Sequence, residues 1–239
     1  VSIMMWLSSV TPRSARPVRW LNSFLIATWD VTDDLTIKNI AGARITKVLA
    51  TEDSDGTYLP LINVGDPVNP NGWLDNSVQY TDELQFQGKV LNDKLSWVAG
   101  GYIEFDHPLG RNVYISDTLG GLSYYHFWQS SRSQAMFAHG IYDLSDWVPG
   151  LRFTAGYRYT WDFISNVQTN TTKVDQILRN AAGAATNCGS LNSSPACVNA
   201  VSGNFQSPGW NVSLDEQLTD ETLVYVRSGN AYRPGGFNL

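Results

Sequence analysis

The stretch from Gln79 to Phe105 constrains this chain more than any other, because apolar and polar residues alternate along it on both sides of a short polar turn. On the first arm Gln79, Thr81, Glu83, Gln85, Gln87 and Lys89 share one face, and Tyr80, Leu84, Phe86, Gly88 and Val90 share the other, with Asp82 as the polar exception. After Asn92 and Asp93 the second arm sets Leu95, Trp97, Ala99, Gly101, Ile103 and Phe105 against Ser96, Gly100, Tyr102 and Glu104, with Val98 as the exception. A period of two is the mark of a β-strand with unlike faces. Strands of about ten residues, tilted and joined by a tight turn, are long enough to cross a hydrocarbon layer. A soluble antiparallel sheet with one wet face alternates in the same way, so the choice falls to the rest of the chain.

No run approaches twenty apolar residues and the mean hydropathy is -0.20, which excludes helical membrane spans. A barrel wall keeps half of each strand polar, so this hydropathy together with nine Trp and eleven Tyr is compatible with one. The net charge of -6, with no concentrated basic surface, argues against nucleic acid as a partner. Cys188 and Cys197, with eight residues between them, are the only cysteines and are expected to form a loop disulfide in an oxidising compartment. Closing so short a loop contributes roughly 2 to 3 kcal/mol. The first twenty residues show no signal-peptide pattern and are left unassigned, with one domain over 21–239.

Along the chain, strands are expected at 22–31, 35–47, 79–90, 95–105, 129–144, 151–163, 210–218 and 222–231, about eight in all. The cleanest is the sixth, where Leu151, Phe153, Ala155, Tyr157, Tyr159, Trp161 and Phe163 alternate with Arg152, Thr154, Gly156, Arg158, Thr160 and Asp162. The connections sort by length: short at 32–34, 92–93, 145–150 and 219–220, long at 48–78, 106–128 and 168–204. Short turns at one end and long loops at the other describe an all-β, antiparallel up-and-down transmembrane β-barrel, with periplasmic turns and extracellular loops. A Greek-key sandwich does not sort its loops in this way.

Four stretches carry a resemblance: WDVTDDLTIKNIAG from Trp29, TDELQFQGKVLNDKLSWVAGGY from Thr81, YDLSDWVPGLRFTAGYRYTWD from Tyr142 and LTDETLVYVRSGNAYRPGGFN from Leu218. They resemble the TonB-dependent outer-membrane receptors. The last is the most specific, because in that family a rising strand ends at the outer rim in a stretch matched here by Ala231, Tyr232, Arg233, Pro234, Gly235, Gly236 and Phe237, with Ala231 departing from the usual Gly. The resemblance implies a partial barrel, about eight strands of a larger one, in the outer membrane of a Gram-negative bacterium. It implies as partners the membrane lipid, a plug domain and TonB with its inner-membrane energising complex. The implied substrate is a small scarce nutrient: a ferric siderophore, cobalamin or a glycan. No TonB box, plug or aromatic-ended closing strand is read in the chain, which is therefore taken as an internal piece, not transport-competent alone.

From alternation, Gln85, Gln87, Arg152, Arg158 and Asp162 are expected to line the lumen, with the long loops as capture surface and Trp73 or Trp128 as aromatics able to stack on a ligand. The rim motif from Tyr232 to Phe237 reads first as a strand exit, since Pro removes a ladder donor and Gly-Gly permits a sharp change of direction. Asp53-Ser54-Asp55-Gly56 lacks the later ligands of a calcium loop. His107, His126 and His139 lack ligand spacing, and no nucleophile motif occurs, so neither catalytic residues nor a cofactor are assigned. The alternatives are a complete eight-stranded outer-membrane barrel with a structural or adhesive role, in which the terminal strands pair, and a secreted carbohydrate-binding β-sandwich, in which apolar faces bury each other.

Overall fold

The computed structural model describes residues 1–10, 18–48, 52–53, 56, 62–64, 75–110, 112–118, 121–173 and 198–237. Every regular element among them is a strand: β1 (Ser2–Val10), β2 (Val18–Thr32), β3 (Leu35–Val48), β4 (Glu52–Asp53), β5 (Ile62–Val64), β6 (Asp75–Val90), β7 (Leu95–Pro108), β8 (Asn112–Thr118), β9 (Gly121–Asp143), β10 (Leu151–Lys173), β11 (Val198–Thr219) and β12 (Thr222–Asn230). Nine of them form one open antiparallel meander in the order β1-β2-β3-β6-β7-β9-β10-β11-β12. β4, β5 and β8 make a side ribbon that joins the sheet where β8 pairs with β9. This is the expected up-and-down, partial-barrel architecture. Among the described residues there is one sheet and no second layer to make a sandwich, and β1 and β12 stand at opposite ends of the order.

The faces follow the alternation. Register rows such as Phe86, Ala99, Ala138, Tyr157 and Trp210 run across five strands on one side. The row Glu83, Tyr102, Ala135, Thr160 and Ser207 runs across the same strands on the other. The polarity is inverted relative to a soluble sheet. Met136 is 68% exposed and Trp161 40%, whereas Asp162 is 9% and Asn166 2% exposed. Among the described residues only Val78, Ala135 and Ile164 are buried apolar side chains. A single-layer wall whose polar side chains crowd while its apolar ones splay is curved, with the polar side inward. In water each large outward side chain would forgo about 1.5–3 kcal/mol of burial; in hydrocarbon that cost vanishes.

Two polar residues out of phase, Asn39 and Asp82, both register to the apolar face, and they find each other. Asn39 Nδ2 donates to the Asp82 carboxylate and, at 3.3 Å, to the Glu83 carbonyl. The turns are held locally. Leu91, Asn92 and Asp93 all adopt left-handed backbone, at φ of 59°, 55° and 65°. At the next turn Leu144 N donates to Leu151 O at 2.9 Å, and Gly150 sits at φ 80° so close to Gln217 that a Cβ would overlap the Gln217 carbonyl. Lys94 and Asp146 form an ion pair that ties these two turns together.

Strand lengths exceed the expectation. β9 begins at Gly121 rather than Gln129, β10 runs on to Lys173, and β11 starts at Val198, inside the span read as a loop over 168–204. Residues 2–10, left unassigned from sequence, pair along their whole length with β2 and raise the count to nine long strands. The long connections at 48–78 and 106–128 contain β4, β5 and β8. From Ser165 to Lys173 β10 is polar apart from Val167, so no apolar–polar alternation marks the strand, yet backbone pairing continues and keeps Asn166 and Gln168 covered on the inward side.

Candidate functional site

The inward face is the site, and Arg158 on β10 is its centre. Register puts Arg158 beside Phe137 of β9, and Phe137 beside Gly100 of β7. A side chain on Gly100 would overlap the tip of the Phe137 ring, so the glycine leaves room for that ring to lie flat against the wall. The guanidinium carbon stands 5.1 Å from the Tyr102 ring centroid and 5.9 Å from that of Phe137, within cation–π range of both. Its Nε donates to Thr160 Oγ1 at 3.2 Å. Tyr102 in turn donates to Glu104, and Gln85 donates to Glu83.

Next to Arg158 a cleft of about 730 Å³ opens between β9, β10, β11, β12 and the chain that leaves β12. Its polar lining includes His139, Arg158, Asn211, Arg227 and Tyr232, and it contains no carboxylate. Gly156 forms part of the floor, where the His139 ring and the Asn211 amide lean over the space its side chain would fill. The cleft is thus suited to acidic or hydrogen-bond-accepting groups. Among the described residues no three His, Cys, Asp or Glu side chains gather at metal-holding spacing.

The segment after β12 turns inward. Asn230 closes the ladder with its own side chain: Oδ1 accepts from Trp210 N at 2.7 Å and Nδ2 donates to Pro208 O at 3.1 Å. Proline has no N–H to offer the ladder, so the amide ends the pairing where Pro208 weakens it. Tyr232 then reaches Asp162 on β10. Burial of its hydroxyl, with the carboxylate beside it, pushes the phenol up to about 12. Gly235 packs against the Phe205 ring so closely that any side chain would overlap it, and the Phe237 ring lies 6.5 Å from that of Phe205. Arg233, Pro234 and Gly236 remain exposed. The motif therefore leaves the sheet, as its Pro and glycines suggest, and folds back across the inner face of β11.

Of the residues expected from alternation, Gln85, Gln87, Arg152, Arg158 and Asp162 all register to the inward face. They are spread along it: Arg158 lines the cleft, Asp162 lies beside Tyr232, and Arg152 is exposed near the turn end, between Asp143 and Asp215 in register. Trp128 lies within β9 rather than in a loop, whereas Trp73, Cys188 and Cys197 lie outside the described residues. Sequence reasoning did not single out His139, Asn211 or Arg227 as site residues, nor the buried pair Asn166 and Gln168. The first three sit at inward positions of the alternation; the last two belong to the part of β10 read as a loop.

No family model matches the chain, and no curated protein matches it by sequence. Among solved structures it is similar to the ferric yersiniabactin uptake receptor FyuA from Yersinia pestis, at 15% identity and a TM-score of 0.57. The match covers 89% of this chain and 28% of FyuA, so the chain spans little more than a quarter of that receptor. At this identity the likeness is one of fold.

Proposed function

We propose that this chain forms part of the barrel wall of a TonB-dependent outer-membrane receptor, in which it faces lipid with its aromatic side and a plug and passing substrate with its polar side. The observation that carries the reading is the inverted sheet: large apolar side chains outward and exposed, Asp162, Asn166 and Gln168 inward and covered. The likeness to a siderophore uptake receptor and the sequence resemblance at Leu218–Asn238 support it. Under this reading the outer membrane is its place, the inner face lines the lumen, and a ferric siderophore, cobalamin or glycan is the substrate. The chain is not an enzyme; transport draws on TonB and the inner-membrane energising complex. The open edges of β1 and β12 carry unpaired backbone groups that a bilayer cannot satisfy. The 239 residues alone therefore do not transport.

The test is to sequence the encoding DNA beyond both ends and translate it. A plug with a TonB box upstream and further alternating strands downstream, the last ending in an aromatic residue, are expected. Start and stop signals bounding these residues would sink the receptor reading.

A further inference from the structure

We propose that the outward face carries a seat for an anionic, phosphate-bearing membrane lipid, with an acyl chain in a groove running from β6 to β10 and the headgroup on Arg132. The proposal rests on the membrane reading above. The groove has a volume of about 750 Å³, and Leu84, Ile103, Met136 and Trp161 supply its apolar lining. Gly101 lines it as well, and a Cβ there would meet nothing nearer than 3.8 Å, so its missing side chain leaves open space. An extended acyl chain is the shape and chemistry that such a groove accepts.

One end of the groove is polar, lined by Arg132, Gln134, Asn204 and Asp82, the last in register with Ile103 and held by Asn39. Gln134 registers with Ile103 and Trp161, and Arg132 lies one row further from the short turns, between Phe105 and Phe163. This is where the apolar band gives way to wet strand. Arg132 is exposed and makes no ion pair or hydrogen bond among the described residues. On the outward face the acid Asp82 lies in the row of Gln134, one row nearer the short turns than Arg132, and already accepts from Asn39, whereas the ionisable residues further out are basic: His107 one outward row beyond Arg132 and Lys47 two. In a chain of net charge -6, a basic fringe just above an apolar groove complements a phosphate headgroup whose chain lies below it.

The test expresses this wall within the longer reading frame that the flanking DNA supplies, so that the edges of β1 and β12 are paired, and reconstitutes that protein into phosphatidylcholine vesicles that contain a minor fraction of brominated-chain phosphatidylglycerol or, in the second arm, brominated-chain phosphatidylcholine. Quenching of Trp161 is read as the difference between the protein and its Trp161→Phe variant. The anionic lipid is expected to occupy the seat about fivefold more than the neutral one, the factor corresponding to ~1 kcal/mol for one arginine at an anionic headgroup. Arg132→Gln removes that preference, and Gly101→Leu, which fills the groove, lowers Trp161 quenching by both lipids. Equal quenching by the two lipids, or a preference that survives Arg132→Gln, overturns the seat while quenching of Trp97 and Trp210 leaves the membrane reading standing. A chain that does not float with the vesicles overturns both.

Discussion

At the scale of single residues, the Asn39–Asp82 pair and Tyr232 carry distinct expectations. Asn39 and Asp82 interrupt the apolar face and satisfy each other there. Replacing Asn39 by Leu strands the Asp82 carboxylate and is expected to destabilise the sheet by roughly 1–3 kcal/mol, whereas the double change Asn39→Leu with Asp82→Leu is near neutral or stabilising. Denaturant unfolding from vesicles measures both; equal losses for the single and double variants would show that the pair does not interact. Tyr232 reports on the inward fold of the rim segment. Its phenol is held neutral to about 12, against an ordinary value of about 10. Because the folded-state value is raised, the contribution of the docked tyrosine is complete below the ordinary phenol range and is lost as pH rises from there through the folded value. An ultraviolet difference titration of the protein against Tyr232→Phe is expected to show one phenol ionising near 12; ionisation in the ordinary range would mean that the segment is not docked.

At the scale of elements, the turn between β6 and β7 stores strain. Leu91 holds left-handed backbone, which costs a residue with a Cβ about 1–2 kcal/mol, and its side chain is 60% exposed, so little packing repays that cost. Leu91→Gly is therefore expected to stabilise the hairpin by about 1 kcal/mol, seen as a higher denaturation midpoint with unchanged slope. A loss of stability would show that the Leu91 side chain packs on the membrane surface. β9, β10 and β11 show the opposite lesson. Their turn-proximal halves have one apolar outward side and one inward side, whereas their distal halves, up to Lys173 and from Val198, are held by backbone pairing without apolar alternation, with Asn166 and Gln168 covered on the inward side.

For the whole molecule, the inverted polarity makes a two-sided prediction. Ala138 lies on the outward face at the level of Tyr157, and Gln85 lies inward. Ala138→Arg is expected to cost ~2–4 kcal/mol in a bilayer, as a charge on a lipid face near its middle does, while Gln85→Arg on the wet inner side costs less than about 1 kcal/mol. Unfolding from vesicles decides it; equal costs would mean that the outward face does not meet hydrocarbon. Among the described residues the strands form one open sheet with β1 and β12 at its ends.

What the sequence determined by itself is the wall. The alternation at Gln79–Phe105 and Leu151–Phe163 defined strands, faces and turns, because successive strand residues point to opposite faces and the two faces of this sheet differ in polarity. It could not reveal β1, whose residues follow no period, or the distal halves of β9, β10 and β11, where apolar and polar residues no longer alternate along the sequence. Only the tertiary structure decided the site. Arg158 meets Tyr102 from two strands away, Tyr232 meets Asp162 across seventy residues of chain, and the outward groove joins Leu84 to Trp161. Such meetings depend on register and curvature, which arise from the pairing of whole strands and leave no mark in any one of them.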